Sequence, residues 1–211
     1  ITIIGDESHI PYQRPPLSKQ YLAGEQGIER VYLRPEKFYA DKDVTLLLNT
    51  RATTIDREAR CIGLDNGDSL EYDKLIVATG SRPRILNIEG SDLGGIHYLR
   101  TIADVDAIRA DMGQAKSLVI VGAGYIGLEV ASVGVQAGLE VHVLEMEERI
   151  LQRVTTPEMS NYYHKLHTGR GVHLHTTTGV SGFAGNGRVA QVLCGDAGTF
   201  DADLVIVGIG I

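Results

Sequence analysis

Three glycines and one carboxylate carry the clearest chemistry in this 211-residue sequence. Gly122-Ala-Gly124-Tyr125-Ile126-Gly127 follows the apolar run Ser117-Leu-Val-Ile-Val121 and leads into Leu128 and Glu129. A buried strand, a glycine turn and the opening of a helix are what a dinucleotide pyrophosphate requires. Gly122 permits the tight turn, Gly124 has no side chain to hold the backbone off the phosphates, and Gly127 lets helix and strand pack closely. The free N–H groups of the first helical turn then face the anion. A second apolar run, Glu140-Val-His-Val-Leu144, ends in Glu145. That carboxylate lies about 20 residues past the glycines, where it would accept from the adenosine ribose hydroxyls. A carboxylate there repels a 2′-phosphate, and no basic residue follows before Arg149, so the pattern predicts NAD rather than NADP.

The elements that position these residues occur twice. After Glu145 come a helix-like stretch, a short strand Val172-His-Leu-His175, a meander with an Asn186-Gly187 hairpin signal, and a closing strand Asp203-Leu-Val-Ile-Val207-Gly208-Ile-Gly210. From the start, Thr2-Ile-Ile4 ends at Gly5-Asp6, a helix-like stretch reaches Val44-Thr-Leu-Leu47, and a meander with Asn66-Gly67 leads to Asp73-Lys-Leu-Ile-Val77-Ala78-Thr79-Gly80. The repeat predicts an α/β fold of two Rossmann-like dinucleotide-binding units, each a parallel sheet with a three-stranded β-meander. The first unit is expected over 1–101 and the second over 102–211. The first lacks its opening strand and glycine loop, and no initiator Met is present, so the sequence reads as a fragment.

Composition narrows the function classes. No apolar run reaches the ~18–20 residues of a membrane helix, and neither membrane nor secretory signal is expected, which points to a cytoplasmic protein. The net charge of −7, without a block of Lys or Arg, disfavours nucleic acid. Cys61 and Cys194 sit in separate meanders and form no CxxC pair, so a redox dithiol is not expected. The histidines lack metal-ligand spacing. His173 and His175 alternate along a strand with no carboxylate companion in sequence, and His164 and His167, one helical turn apart, read better as solvated helix residues than as a zinc pair. No metal is expected.

The first hundred residues add a resemblance. His9-Ile-Pro-Tyr-Gln-Arg14-Pro-Pro-Leu-Ser18-Lys19 and Tyr21-Leu-Ala-Gly24, then Ala78-Thr79-Gly80-Ser-Arg-Pro83, Tyr98-Leu-Arg100-Thr101, the Val121–Glu129 turn and the Asp203–Gly210 run occur in one order. This resembles the flavoprotein ferredoxin reductases of oxygenase systems, the putidaredoxin reductase and dioxygenase reductase family. The resemblance implies an FAD domain, an NAD domain and a C-terminal domain, with NADH reducing FAD and electrons passing singly to a small iron–sulfur protein. It implies that Asp6 meets the FAD ribose, that Arg14 and Lys19 belong to the flavin loop with Lys19 beside the isoalloxazine ring, and that the Ala52 backbone meets the adenine. Ala78, Thr79 and Gly80 would close the FAD unit, and Arg100 would contact FAD. Tyr125 and Ile126 would neighbour the nicotinamide, and Gly208 and Ile209 would close that site. Related flavoproteins pair a lysine and a glutamate near the flavin, which would join Lys19 to Glu129; the alternative is a first-turn glutamate favoured by the helix dipole. Taken alone, Arg14-Pro-Pro could equally be a rigid extended loop.

The expected activity is an NADH-dependent reductase using FAD and NAD, with a ferredoxin or rubredoxin as acceptor. The cofactors do the chemistry, so no general acid or nucleophile is nominated. Two readings remain beside it: an NADH oxidase or peroxidase, and a non-catalytic NAD-binding module.

Overall fold

The computed structural model describes residues 1–211, which form two compact units. One comprises residues 1–13 and 27–80; the other comprises 14–26 and 81–211.

In the first unit, β1 (Thr2–Ile4) pairs in parallel with β2 (Thr45–Leu47), with Ile3 opposite Leu46. A short helix α1 (Glu36–Asp41) precedes β2. The meander follows as antiparallel strands β3 (Ala52–Asp56), β4 (Cys61–Leu64) and β5 (Ser69–Glu71). Its β4–β5 turn is the expected Asn66-Gly67, with Gly67 at φ +90°. The apolar strand expected over Asp73–Val77 is not formed. Ile76 is 87% exposed and Val77 64%. A parallel strand exists only through its ladder, and β1–β2 is a two-stranded sheet in which this run has no neighbour.

The second unit is built on a five-stranded parallel sheet. Its elements in chain order are β6 (Ile96–Tyr98), α2 (Ile102–Met112), β7 (Ser117–Val121), α3 (Tyr125–Gln136), β8 (Glu140–Leu144), α4 (Pro157–Thr168) and β9 (Val172–His175). The meander β10 (Gly182–Gly185), β11 (Val189–Leu193) and β12 (Thr199–Asp201) then leads into β13 (Leu204–Val207). The sheet order is β6-β13-β7-β8-β9. Strands covered on both faces need apolar residues at every position, which explains the unbroken Leu-Val-Ile-Val runs of β7 and β13. Val119, Val121, Leu144, Val205 and Val207 pack against Phe183, Val189 and Val192 of the meander. On the other face, α3 lies so close to β7 that a Cβ at Gly134 would stand 2.7 Å from Leu118 Cδ2.

The boundary expected between residues 101 and 102 is drawn elsewhere by the packing. β6 pairs with β13, which brings residues 81–101 into the second unit. Residues 14–26 join it too. The Tyr21 hydroxyl donates to Asp106 of α2 at 2.8 Å, and the Arg109 guanidinium lies 5.6 Å from the centre of the Tyr21 ring. No helix is long and apolar enough to cross a membrane.

Candidate functional site

The glycine turn joins β7 to α3, and each glycine has a separate physical reason. Gly122 adopts φ +105°, and a Cβ there would stand 2.6 Å from the Gly208 carbonyl oxygen. At Gly127 a Cβ would overlap the Gly122 carbonyl oxygen, so α3 can approach the turn only with glycine. Gly124 has extended backbone, and nothing lies within 4 Å of its Cβ position. That emptiness has no packing rationale and suits the close approach of a ligand. No side chain caps the first turn of α3, which leaves its N–H groups available to an anion. Tyr125 and Ile126 are 50% and 40% exposed beside the turn. Gly208 and Ile209 follow β13, with the Gly208 N–H donating to Val121 O at 2.8 Å.

Glu145 stands directly after β8, as its spacing requires, and its carboxylate serves the loop as well. Oε2 accepts from the Ala123 N–H at 2.8 Å and Oε1 from the Glu147 N–H at 3.0 Å. Each oxygen keeps a further lone pair for a ribose hydroxyl. The carboxylate therefore anchors the glycine turn from the same place at which it would read a ribose, a double duty that spacing alone does not reveal.

A second cluster sits one turn into α3. Glu129 follows Tyr125 by four residues and so shares its side of the helix. Its Oε1 lies 2.8 Å from Lys19 Nζ, and its Oε2 accepts from the Ser18 hydroxyl at 2.5 Å. The Pro15–Ser18 segment, which supplies Ser18 and ends at Lys19, is a 3₁₀ turn rather than an extended loop, with Leu17 and Ser18 buried. Two consecutive prolines preset the φ that such a turn needs. The Lys19 and Glu129 side chains remain 41% and 29% exposed, so the charge is only partly withdrawn from water. A pair of this exposure contributes about 0–1 kcal/mol; its value lies in holding the ammonium in place. Ser18 was not singled out in the sequence. Its adjacency to Lys19 in the Pro-Pro-Leu-Ser-Lys run was the only signal.

The remaining positions divide between the units. In the first, Asp6 follows β1 as Glu145 follows β8, and its Oδ2 lies 3.0 Å from Arg51 Nη2. Ala52 opens β3 and is exposed, as are Ala78, Thr79 and Gly80. In the second, Arg14 Nη1 donates to the Arg100 carbonyl at 2.6 Å. The Arg100 N–H donates to Asp104 Oδ2 at 3.0 Å, within the capping box that Thr101 and Asp104 build at the start of α2. The backbone of Arg100 is thus fixed from both sides, while its buried Nε has no hydrogen-bond partner. A buried unsatisfied donor costs about 1–3 kcal/mol, a cost that an anionic or carbonyl-bearing ligand would relieve.

The model of the pyridine nucleotide-disulphide oxidoreductases matches residues 1–211, the whole chain. The chain belongs to that family. Rhodocoxin reductase of Rhodococcus erythropolis is 42% identical over 212 residues, covering 100% of this chain and 50% of the relative. Among solved structures, a ferredoxin reductase from Rhodopseudomonas palustris superposes with a TM-score of 0.95 at 42% identity, covering 100% of this chain and 52% of that one. Putidaredoxin reductase, in its covalent complex with putidaredoxin, gives 0.94 at 41% identity with 100% and 52% covered. The chain spans about half the length of the relatives it matches.

Members of this pyridine nucleotide-disulphide oxidoreductase family use FAD and NAD(P)H. The residues here suit both groups: the open Gly124 for a pyrophosphate, and the unpartnered Arg100 Nε for an acceptor on a flavin nucleotide. The disulphide of the family name has no counterpart among these residues. Cys61 and Cys194 are both free thiols, one in each unit, and burial pushes the Cys194 thiol up, away from the reactive thiolate.

Proposed function

We propose that the protein carrying this chain is an NADH-dependent flavoprotein reductase that delivers electrons one at a time to a ferredoxin- or rubredoxin-type iron–sulfur partner. FAD, when bound, would accept hydride from the nicotinamide and release single electrons. Asp6, Arg14, Ala52, Ala78, Thr79, Gly80 and Arg100 would hold it. Gly122, Gly124 and Gly127 would seat the NADH pyrophosphate against the N–H groups of α3, and Glu145 would take the adenosine ribose. Tyr125, Ile126, Gly208 and Ile209 would border the nicotinamide. Lys19, held by Glu129 and Ser18, would present a positive charge to the flavin and favour its reduced, anionic form.

The observation that carries this reading is the meeting of Lys19, Ser18 and Glu129 on the α3 turn that follows the glycine loop. Three relatives named as reductases of rhodocoxin, ferredoxin and putidaredoxin support the choice of acceptor. The test is anaerobic stopped-flow reduction of the purified protein encoded by the complete reading frame, followed by ferredoxin-dependent reduction of cytochrome c. NADH should bleach the flavin, and cytochrome reduction should require ferredoxin. A Lys19→Met variant should have a lower flavin potential and slower bleaching, with NADH affinity less affected. A protein without flavin, or one whose electrons go to oxygen regardless of ferredoxin, refutes the proposal.

A further inference from the structure

Parallel pairing of β8 with β9 gathers side chains that the sequence keeps apart. His142 stands opposite His173, and Leu144 opposite His175. Alternation along each strand puts Glu140, His142, His173 and His175 on one face, opposite the buried Val141 and Val143. The His142 ring stacks on His173 at 4.8 Å between centroids and on His175 at 5.2 Å, while Phe200 of β12 flanks His142 and His175. Ligand atoms of Glu140, His142 and His173 all lie within 4.8 Å of one another.

We propose that Glu140, His142 and His173 form a binding site for a divalent transition-metal ion of the zinc, copper or nickel type. Donors lie about 2.0–2.2 Å from a zinc ion, so a tetrahedral pair stands ~3.4 Å apart. His142 Nε2 and Glu140 Oε1 already stand 3.3 Å apart. A turn of the His173 imidazole about its broad χ2 torsion would bring its nitrogen, within 4.8 Å of the other two ligand atoms, to the same point. His175 is the positioning residue: its Nε2 lies 3.0 Å from His142 Nδ1. With the proton on Nδ1 shared toward His175, the Nε2 lone pair of His142 turns to the carboxylate. In that tautomer two acceptors face each other, and a cation between them satisfies both. Two imidazoles and one carboxylate select a borderline ion over magnesium or calcium, which prefer all-oxygen sets. His142 is 20% exposed and Glu140 66%, so the ion has an entry path and a fourth position open to water. The competing occupant is a proton on Nε2, donated to Glu140. Metal binding displaces that proton, with no change of oxidation state.

The experiment is isothermal titration of the tag-free, chelator-washed holoprotein with zinc chloride. One equivalent should bind, and magnesium chloride should give no heat. His142→Ala and His173→Ala should each weaken zinc binding at least tenfold, and His175→Ala by about 10-fold. Copper(II) bound to the parent should show nitrogen hyperfine structure from two imidazoles. Zinc should also protect His142 and His173 of the parent from diethyl pyrocarbonate, a readout that needs no variant. No zinc uptake, undiminished uptake in a protein carrying both His142→Ala and His173→Ala, or equal modification with and without zinc would each overturn the proposal.

Discussion

Gly124 and Gly127 separate binding from folding within a single loop. A methyl group at Gly124 meets nothing within 4 Å, whereas one at Gly127 runs into the Gly122 carbonyl. Gly124→Ala should therefore keep the parent's melting temperature while raising the dissociation constant for NADH roughly tenfold or more, since a lost phosphate hydrogen bond costs about 1.5–3 kcal/mol. Gly127→Ala should lower the melting temperature and weaken NADH binding as well, losing about 1–3 kcal/mol of stability to overpacking. Calorimetry and NADH titration on the two variants check this; if both melt alike, the packing argument for Gly127 is wrong. Glu145 has the opposite character, because one carboxylate serves both purposes. Glu145→Ala should weaken NADH and narrow its preference over NADPH. It should also free the Ala123 N–H and loosen the turn. Glu145→Gln keeps an acceptor for Ala123, so it should recover the stability but not the full discrimination. Equal selectivity in the alanine variant would remove Glu145 as the determinant.

At the scale of elements, Asp203 ties the entrance of β13 to that of β7. Its Oδ2 accepts from the Lys116 N–H at 2.8 Å, the Ser117 N–H at 3.1 Å and the Ser117 hydroxyl at 3.3 Å. The Lys116 and Ser117 backbone donors, joined by the Ser117 hydroxyl, hold the carboxyl below its ordinary value against a smaller opposing effect of burial. A folded-state pKa below the unfolded one gives stability that is full above about 4 and is lost as pH falls through the folded value. Asp203→Asn should then cost about 1 kcal/mol at neutral pH, the net worth of a surface-accessible hydrogen bond. The gap between variant and parent should shrink below pH ~4. Melting curves of both proteins across that range decide it; a constant gap means that the charge is irrelevant. Element limits were most legible where local pattern and tertiary context agree. β8 and β9 occupy the runs read from sequence, and the Asn-Gly turns lie where expected. Asp73–Val77 has the same apolar pattern as β13, but a pattern cannot supply the neighbouring strand. The Glu140, His142 and His173 grouping escaped reading for a related reason: strand register, not spacing, makes those residues neighbours. Ser18 escaped because a hydroxyl one residue before a lysine has no periodic signature.

For the whole molecule, the two units rest on unequal foundations. The second has a five-stranded sheet with residues such as Leu118, Val119, Ile120, Leu204 and Val205 fully buried. The first has a two-stranded parallel sheet of three residues per strand, in which none of β1's residues is fully buried, and its meander strand β3 is exposed along its length. Sheets of two strands are marginal in water, and stability tracks buried apolar contact rather than hydrogen bonds alone. Amides of β1 and β2 in this 211-residue chain should therefore exchange with solvent through low-energy local opening, well before those of β7 and β13. Hydrogen–deuterium exchange followed by mass spectrometry resolves the two sets. Adding NADH should slow exchange around Gly122–Leu128 and Glu145, because a ligand bound to one state stabilises that state. It should leave β1 and β2 nearly as fast as before, since the residues that would seat that ligand belong to the other unit. Protection of β1–β2 equal to that of β7–β13 in the chain alone would show that the first unit draws stability from contacts other than its sheet.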